Sequence, residues 1–240
     1  MNLESERPFD LEKKPKRKEP SVQYYVKFSF NLTYILLMTT ATITFIEAIR
    51  TSNPMIRHIM NLETCISVVA GYFYSIFTNQ IDEYSKKNIQ IDWEEITRTR
   101  YIDWAITTPM MLLALCLVLS QNIKTSVKFT TMFTIVMLNY VMLYIGYLGE
   151  SKKISRILAM LGGFIPFIMM FLIIYFNFVK IKSNNANNIL FLFYVIVWGL
   201  YGIVYMLDEN YKNISMNILD LTAKCLIGLG LWAYYTKIMV

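Results

Sequence analysis

The sequence predicts an all-α membrane protein, a bundle of seven transmembrane helices. Its 240 residues are 55% hydrophobic and only 17% charged, which is typical of a membrane protein. The apolar residues come in blocks of about 20 or more, the length that crosses a hydrocarbon core as a helix. Seven such blocks follow one another, and short polar stretches separate most of them.

The blocks give the predicted spans in chain order. They cover residues 23–49, 54–79, 96–119, 126–148, 154–177, 187–208 and 213–239. Lipid offers no water to bond backbone groups, so segments of this length must be helices. Short loops make consecutive helices antiparallel neighbours. We assign residues 1–22 to a basic, solvent-exposed tail and residues 23–240 to one seven-helix domain.

The second connection is longer and more polar than the others. It runs from Asp82 to Glu95, and within it Lys86 to Trp93 alternates polar and apolar residues. Alternation with a period of two is typical of a strand. We therefore expect a small surface hairpin in this loop.

Of the ionisable residues inside predicted spans, where a charge is costly and needs a partner or a function, four in the third and seventh spans stand out. Lys224 lies near the middle of the seventh span, and Asp220 lies one helical turn before it. Arg100 and Asp103 share a face of the third span. One interpretation is an ion pair that holds helices together. The other is a lysine that forms a Schiff base with a carbonyl and needs a carboxylate counterion.

The amino-acid sequences of these segments resemble the motifs of a known family. Residues 100–109, Arg-Tyr-Ile-Asp-Trp-Ala-Ile-Thr-Thr-Pro, resemble the third-helix signature of microbial rhodopsins. Residues 219–224, Leu-Asp-Leu-Thr-Ala-Lys, resemble their seventh-helix retinal-lysine signature. Residues 198–205 resemble the sixth-helix aromatic run, with Gly202 where proline is usual. The resemblance implies a photoreceptor that binds all-trans-retinal covalently as a Schiff base.

The resemblance also implies a role for each matching residue. Lys224 bears the retinal, Asp103 is the counterion and proton acceptor, and Asp220 completes the counterion complex. Arg100 balances the two carboxylates, and Thr107 hydrogen-bonds to Asp103. The implied retinal pocket comprises Trp104, Thr108, Met111, Asn139, Met142, Gly146, Trp198, Tyr201 and Tyr205. For the aromatic residues the alternative is packing against lipid or between helices.

Polar residues in the first two spans suggest an ion pathway. Glu47, Asn61, Glu63 and Ser67 would be costly against lipid, so we expect them to face the bundle or a wet cavity. The alternative is that both glutamates stabilise the fold, Glu47 by capping a helix end and Glu63 by pairing with Arg57 or His58. Ala114, eleven residues after Asp103, occupies the family's usual proton-donor position and cannot donate a proton.

Residues 43–48 and 57–64 resemble the viral rhodopsins of the first group, which are regarded as light-gated cation channels. Thr108 and Asn139 stand where channelrhodopsins pair a third-helix with a fourth-helix residue. We therefore expect a light-gated cation channel and no enzyme activity; an outward proton pump is the alternative, and a sensory rhodopsin comes third. The expected partners are the lipid bilayer, permeating monovalent cations or protons, and further copies in a homo-oligomer, with no nucleic acid.

The two signals for membrane orientation disagree. The resemblance implies an extracellular amino terminus and a cytoplasmic carboxyl terminus. Lysine and arginine residues, however, are more numerous in the segments that this orientation places outside. Cytoplasmic loops usually carry the excess of these residues, so the charge rule favours the opposite orientation. We follow the resemblance.

Overall fold

Seven long helices make up nearly all of the described chain. The computed structural model describes residues 22–87 and 89–237. The helices are α1 (Val22–Arg50), α2 (Pro54–Lys87), α3 (Trp93–Asn122), α4 (Phe129–Glu150), α5 (Arg156–Val179), α6 (Asn185–Val204) and α7 (Glu209–Tyr235). Each is long and apolar enough to cross a membrane. The predicted all-α bundle of seven spans is confirmed.

Polar residues in the links define where several helices begin. Asp92 accepts hydrogen bonds from the backbone amides of Glu94 and Glu95 at the start of α3. Ser155 caps α5 and Asn184 caps α6 in the same way. These side chains satisfy amides that have no partner in the first turn of a helix.

The predicted hairpin in the second connection is wrong. Helix α2 continues to Lys87, residues 89–92 have no regular structure, and no residue of the described ranges lies in a strand. An ion pair between Lys87 and Glu83, four residues apart at 2.5 Å, supports the helical end. Tyr84 also donates a 2.6 Å hydrogen bond to Glu95 Oε2 across the link. The apparent alternation therefore spans a helix end and a short link.

The predicted tail lies almost wholly outside the described residues. Val22, which we assigned to the tail, is the first described residue and is helical. Helix α2 extends eight residues past its predicted end at residue 79, and the other predicted bounds differ from the structure by four residues or fewer. Helix α3 begins three residues before the predicted start and α7 begins four before it, because Trp93 and Glu209 follow the capping positions Asp92 and Asp208.

The helices form a closed ring. Each helix packs against the next in sequence, and α7 returns to pack against α1. Of the seven spans, α3 is the most buried and α4 the least. We call the end that holds Val22, Trp93 and Glu209 the N-face. The end that holds Arg50, Asn122 and Tyr235 is called the C-face.

A cluster of ion pairs ties α4, α5 and α7 together at the N-face. The buried Lys212 amine lies 2.9 Å from Glu150 Oε2 and 2.9 Å from Glu209 Oε1. Arg156 bridges the same two carboxylates. Because each charge has opposite partners, the buried lysine is compensated.

Two helical segments depart from α-helical geometry. Tyr175–Val179, at the end of α5, and Leu221–Leu226, in the middle of α7, are π-helical. A π-helical turn contains more residues than an α-helical turn and is often found at functional sites. The segment in α7 contains Lys224.

Candidate functional site

Lys224 lies in the centre of the bundle, in the π-helical turn of α7. Its side chain is 1% exposed. The amine is 2.8 Å from Asp103 Oδ2 on α3 and 3.7 Å from Asp220 Oδ2 on its own helix. The structure thus brings together the lysine and both carboxylates that the sequence singled out.

Asp103 is fully buried and has few hydrogen-bond donors. Besides the Lys224 amine, Thr107 lies 3.3 Å from its Oδ1 atom. The Thr107 hydroxyl is closer to the backbone carbonyl of Asp103, at 2.9 Å. A hydroxyl has one hydrogen, so it donates mainly to that carbonyl, and the carboxylate depends on the lysine.

Asp220 is also fully buried, but several donors hold it. Oδ1 accepts from the Tyr201 hydroxyl at 2.6 Å and from the Trp104 indole at 3.3 Å. Oδ2 accepts from the Tyr74 hydroxyl at 2.7 Å and lies 3.6 Å from an Arg100 nitrogen. These donors stabilise the ionised form of this carboxyl more than that of Asp103.

Arg100 completes the charge balance of the site. Its guanidinium lies over the rings of Phe30 at 5.3 Å and Phe77 at 5.1 Å. The side chain is 2% exposed. Two cations and two carboxylates therefore lie together in the core with no net charge. A buried group of this kind is tolerated because the charges are paired and hydrogen-bonded.

An apolar cavity begins at Lys224 and Asp220. The space between its walls, including the part open to the surroundings, is about 830 Å³. Among the predicted pocket residues, those that line it are Trp104, Thr108, Met111, Met142, Gly146, Trp198, Tyr201 and Tyr205. A largely apolar lining with a few polar groups is typical of a cofactor site.

Asn139 does not line this cavity, so its predicted place in the wall is corrected. It is fully buried and lies behind Thr108, whose hydroxyl accepts a 2.8 Å hydrogen bond from the Asn139 amide. The bond joins α4 to α3. Its influence on the cavity therefore passes through Thr108.

Two glycines leave room for aromatic rings at the cavity. A Cβ atom on Gly202 would lie 2.6 Å from Phe164 Cζ, and one on Gly146 would lie 2.7 Å from the Tyr101 hydroxyl. Both distances are too short for ordinary contact. A larger residue at either place would therefore push an aromatic side chain aside.

The sequence reasoning missed part of the cavity wall. The residues it omitted are Tyr101, Leu143, Ala159, Met160, Gly163, Phe164, Phe167, Gly202 and Met216. The α5 residues among them recur at spacings of three and four, which places them on one helical face. That spacing could have identified them, although they carry neither charge nor a motif.

Only some of the residues predicted for the ion pathway lie inside the bundle. Glu63 and Ser67 are buried on one face of α2. Glu47 is half-buried near the end of α1. Asn61 is exposed on the outside of α2 and is removed from the pathway. It precedes Glu63 by two residues, about 200° around the helix, so the two cannot share a face.

Glu63 lies between Lys224 and the C-face. A Cβ atom on Gly228, one turn beyond Lys224, would lie 3.2 Å from Glu63 Oε2 and 3.0 Å from the Thr40 methyl. Glu63 Oε1 and Ser67 Oγ are two of six buried side-chain atoms in the described residues that have no hydrogen-bond partner. Buried polar atoms of this kind are rare and call for a ligand, water or a function.

Comparison with known proteins agrees with this geometry. The sequence model of the family described as bacteriorhodopsin-like protein matches residues 26–238. The green-light absorbing proteorhodopsin of Gamma-proteobacterium EBAC31A08 is 24% identical over 153 residues, which are 58% of this chain and 61% of that relative. The match thus spans about three fifths of the relative's length.

Solved structures are similar over most of the chain. Viral rhodopsin OLPVRII has a TM-score of 0.82 and 44% identity, with 90% of this chain and 99% of that chain covered. The blue light-absorbing proteorhodopsin from Med12 has a TM-score of 0.69 and 21% identity, with 89% and 97% covered, a likeness that shows the fold alone. The chain therefore belongs to the bacteriorhodopsin-like proteins, the microbial rhodopsins, which are integral membrane proteins with retinal bound as a Schiff base.

Proposed function

We propose that this rhodopsin is a light-gated cation channel with its retinal attached to Lys224. The observation that supports the channel most directly is a seam of buried oxygen-bearing side chains between α1, α2 and α7. Within the seam, Glu63 and Ser67 carry unpartnered polar atoms in the part of the chain that the structure describes.

The attachment site rests on the fit of the cavity. Of the lysines in the described ranges, Lys224 is the one that lines it. The Lys224 amine is buried, and the cavity wall is apolar and aromatic, as a polyene requires. Gly146 and Gly202 provide space that a Cβ atom would fill. When bound, retinal supplies the light-absorbing group and a change of shape on illumination.

We assign the proton acceptor role to Asp103. It is the nearer carboxylate to the Lys224 amine, at 2.8 Å, and it has fewer other donors than Asp220. A carboxylate with fewer hydrogen bonds gains more from a proton. Asp220, held by Tyr74, Tyr201 and Arg100, remains ionised and keeps Arg100 paired.

The conduction path follows one face of α1. Ser29, Thr33, Thr40 and Thr44 are buried at spacings of four and seven residues, and each hydroxyl donates to its own helix. Since each hydroxyl donates its single hydrogen to the backbone, its oxygen can still accept from groups in the seam, as Ser29 Oγ does from Asn217. The Thr44 hydroxyl lies 2.9 Å from that of Thr64 on α2. Oxygen atoms and a carboxylate favour cations over anions.

Apolar side chains interrupt the proposed path and would close it in the dark. Leu37, Ala70 and Cys225 belong to one buried apolar cluster, and Leu37 lies between Thr33 and Thr40 along α1. Hydrophobic constrictions can gate a pore by excluding water. Since Cys225 follows Lys224 directly, movement at the attachment site reaches this cluster. Light then shifts the chain toward an open state that is rare in the dark.

The hydrogen bond from Asn139 to Thr108 gives further support. It joins α3 to α4 beside the cavity, at the two positions where channelrhodopsins pair residues of these helices. Thr108 lines the cavity, so a change of cofactor shape acts on the pair directly.

An outward proton pump is the second candidate, and the position of Glu63 favours it. This buried carboxyl lies near Gly228, one turn beyond Lys224 toward the C-face. It can return a proton to the lysine nitrogen from α2, although Ala114 on α3 cannot. In a pump Glu63 is a proton donor, whereas in a channel it lines the path.

Photocurrents in a voltage-clamped cell separate the two candidates. We expect currents that reverse sign as the membrane voltage crosses the cation equilibrium potential, and that move with the cation gradient. A current that stays outward at all voltages would instead establish the pump. An intact pigment with neither current would favour a sensor.

The orientation of the chain is part of the proposal. We place the N-face outside the cell and the C-face in the cytoplasm. Protease cleavage of an epitope tag added before residue 1 tests this on intact cells. Cleavage from outside is expected, and a tag that becomes accessible only after permeabilisation would reverse the orientation.

A further inference from the structure

Asn217 joins four helices at the N-face side of Lys224. It lies on α7 and is fully buried. Its Oδ1 atom accepts a 2.9 Å hydrogen bond from Arg100 on α3 and lies 3.0 Å from the Tyr74 hydroxyl on α2. Its Nδ2 atom donates a 2.9 Å bond to Ser29 Oγ on α1. Asn217 thus uses both ends of its amide.

These contacts determine where the Arg100 charge lies. One guanidinium nitrogen donates to both Asn217 and, at 3.1 Å, to Asn213. The other donates to the Tyr74 oxygen at 3.2 Å and lies 3.6 Å from Asp220 Oδ2. Asn213 is one turn nearer the N-face than Asn217. Asn217 therefore holds the first of these nitrogens from the side nearer the carboxylates, and Asn213 holds it from the side nearer the N-face.

We propose that Asn217 is a positioning residue of the counterion complex, which holds Arg100 close to Asp220 and so keeps both carboxylates ionised to lower pH. The inference rests on the proposed attachment of retinal to Lys224. It does not depend on whether the protein is a channel or a pump.

Five helices contribute side chains that surround Asp103 and Asp220. Helix α2 contributes Tyr74, α3 contributes Arg100 beside Asp103, and α6 contributes Tyr201. Helix α7 contributes Lys224, and α1 contributes the Phe30 ring and Ser29. Among these described neighbours, Arg100 is the cation whose position depends on Asn217.

Removal of Asn217 has a direction that follows from this geometry. The guanidinium nitrogen that it held then has Asn213 as its remaining amide acceptor, so the cation moves toward the N-face. An opposite charge at this range changes the proton affinity of a carboxyl by about one pH unit or more. The carboxylates therefore accept protons at higher pH when Arg100 recedes.

The experiment is a pH titration of the visible spectrum of the retinal-loaded protein. Protonation of the counterion moves the absorption to longer wavelength. We expect Asn217→Leu to raise the midpoint of this colour change by about one pH unit. Asn213→Leu is the matched comparison, because it removes an Arg100 contact but leaves those to Asn217 and Tyr74. A smaller shift is expected there.

Equal midpoints in Asn217→Leu and the parent protein would overturn the inference, as would a larger shift in Asn213→Leu. Asn217→Ser, whose side chain is too short to join Arg100 and Ser29, should repeat the Asn217→Leu result. If both Asn217 variants fail to form pigment while Asn213→Leu succeeds, Asn217 supports the fold rather than Arg100, and the inference is wrong. A colourless parent refutes the attachment at Lys224 and this inference with it.

Discussion

The Lys224 amine lies closer to Asp103 on another helix, at 2.8 Å, than to Asp220 on its own helix, at 3.7 Å. In an α-helix, residues four apart lie on one face. Here the intervening turn is π-helical, and the 3.7 Å distance shows that Lys224 still faces Asp220. Asp220 is also held by Tyr74 and Tyr201. The lysine therefore pairs across the bundle, and this geometry supports Asp103 as the acceptor.

Replacement of Lys224 by alanine tests the attachment. It removes the amine that lines the cavity, so we expect no visible absorbance after addition of all-trans-retinal. The absorption spectrum of purified protein is the measurement. Lys180→Ala is the control, because Lys180 is exposed beyond the end of α5. A coloured Lys224→Ala protein would show that retinal is held elsewhere.

Replacement of Asp103 by asparagine tests the acceptor. Light-minus-dark infrared spectra of the parent should show a newly protonated carboxyl. We expect Asp103→Asn to lose that band and to absorb at longer wavelength, because the nearest negative charge is gone. Asp220→Asn should retain the band, since Asp103 and Lys224 remain in contact. Loss of the band in Asp220→Asn alone would exchange the two roles.

Glu63→Gln tests the path. It keeps the size of the side chain and removes its charge, so we expect a shifted reversal potential or a several-fold change in photocurrent. The comparison is Asn61→Ala on the exposed face of the same helix, where no change is expected. Currents identical to those of the parent would take Glu63 out of the conduction path.

Gly202→Ala tests the shape of the cavity. The new methyl group would lie 2.6 Å from Phe164 Cζ, so the ring, which lines the cavity, must move. We expect a lower pigment yield and a displaced absorption maximum, because overpacking of this kind costs about 1–3 kcal/mol. Gly230→Ala is the control, since a Cβ atom there has no heavy atom within 4 Å among the described neighbours. An unaltered Gly202→Ala pigment would contradict this account of the wall.

Glu150→Gln tests the ion pairs at the N-face. It takes the charge from a carboxylate that lies 2.9 Å from the buried Lys212 amine. We expect a loss of about 2 kcal/mol in the free energy of unfolding, because Lys212 keeps Glu209 as a partner. Thermal bleaching of the pigment measures it. Lys27→Ala breaks an exposed pair with Asp82 and should cost less than about 1 kcal/mol. Equal losses would mean that burial adds nothing at this cluster.

The number of spans and the centre of the site could be predicted from the sequence. Membrane thickness sets the length of an apolar block, so seven blocks predicted seven helices. A buried lysine and aspartates are costly unless paired, so Lys224, Asp103 and Asp220 stood out by charge alone. That these residues meet, although they lie on separate helices, could be predicted only from the motifs that resemble a known family.

Other features could not be predicted by the same reasoning. The hairpin was wrong because a few alternating residues do not distinguish a strand from a helix end followed by a link. The placement of Asn61 in the ion pathway was wrong because its polarity was considered without the side of the helix on which it lies. The α5 wall, with Phe164 and Phe167, carries no charge to draw attention to it. The π-helical turn at Lys224 depends on packing with neighbouring helices, which no local pattern reports.

That turn has a consequence for the whole of α7. It accommodates one more residue than a regular helical turn, so the two halves of the helix keep independent rotational settings. The first half directs Asn213 and Asn217 toward Arg100, and the second directs Gly228 toward Glu63. Deletion of one residue here would rotate the second half by about 100° and draw it back by ~1.5 Å. The number of residues in this segment, as much as their chemistry, therefore sets how the groups on either side of Lys224 are oriented toward it.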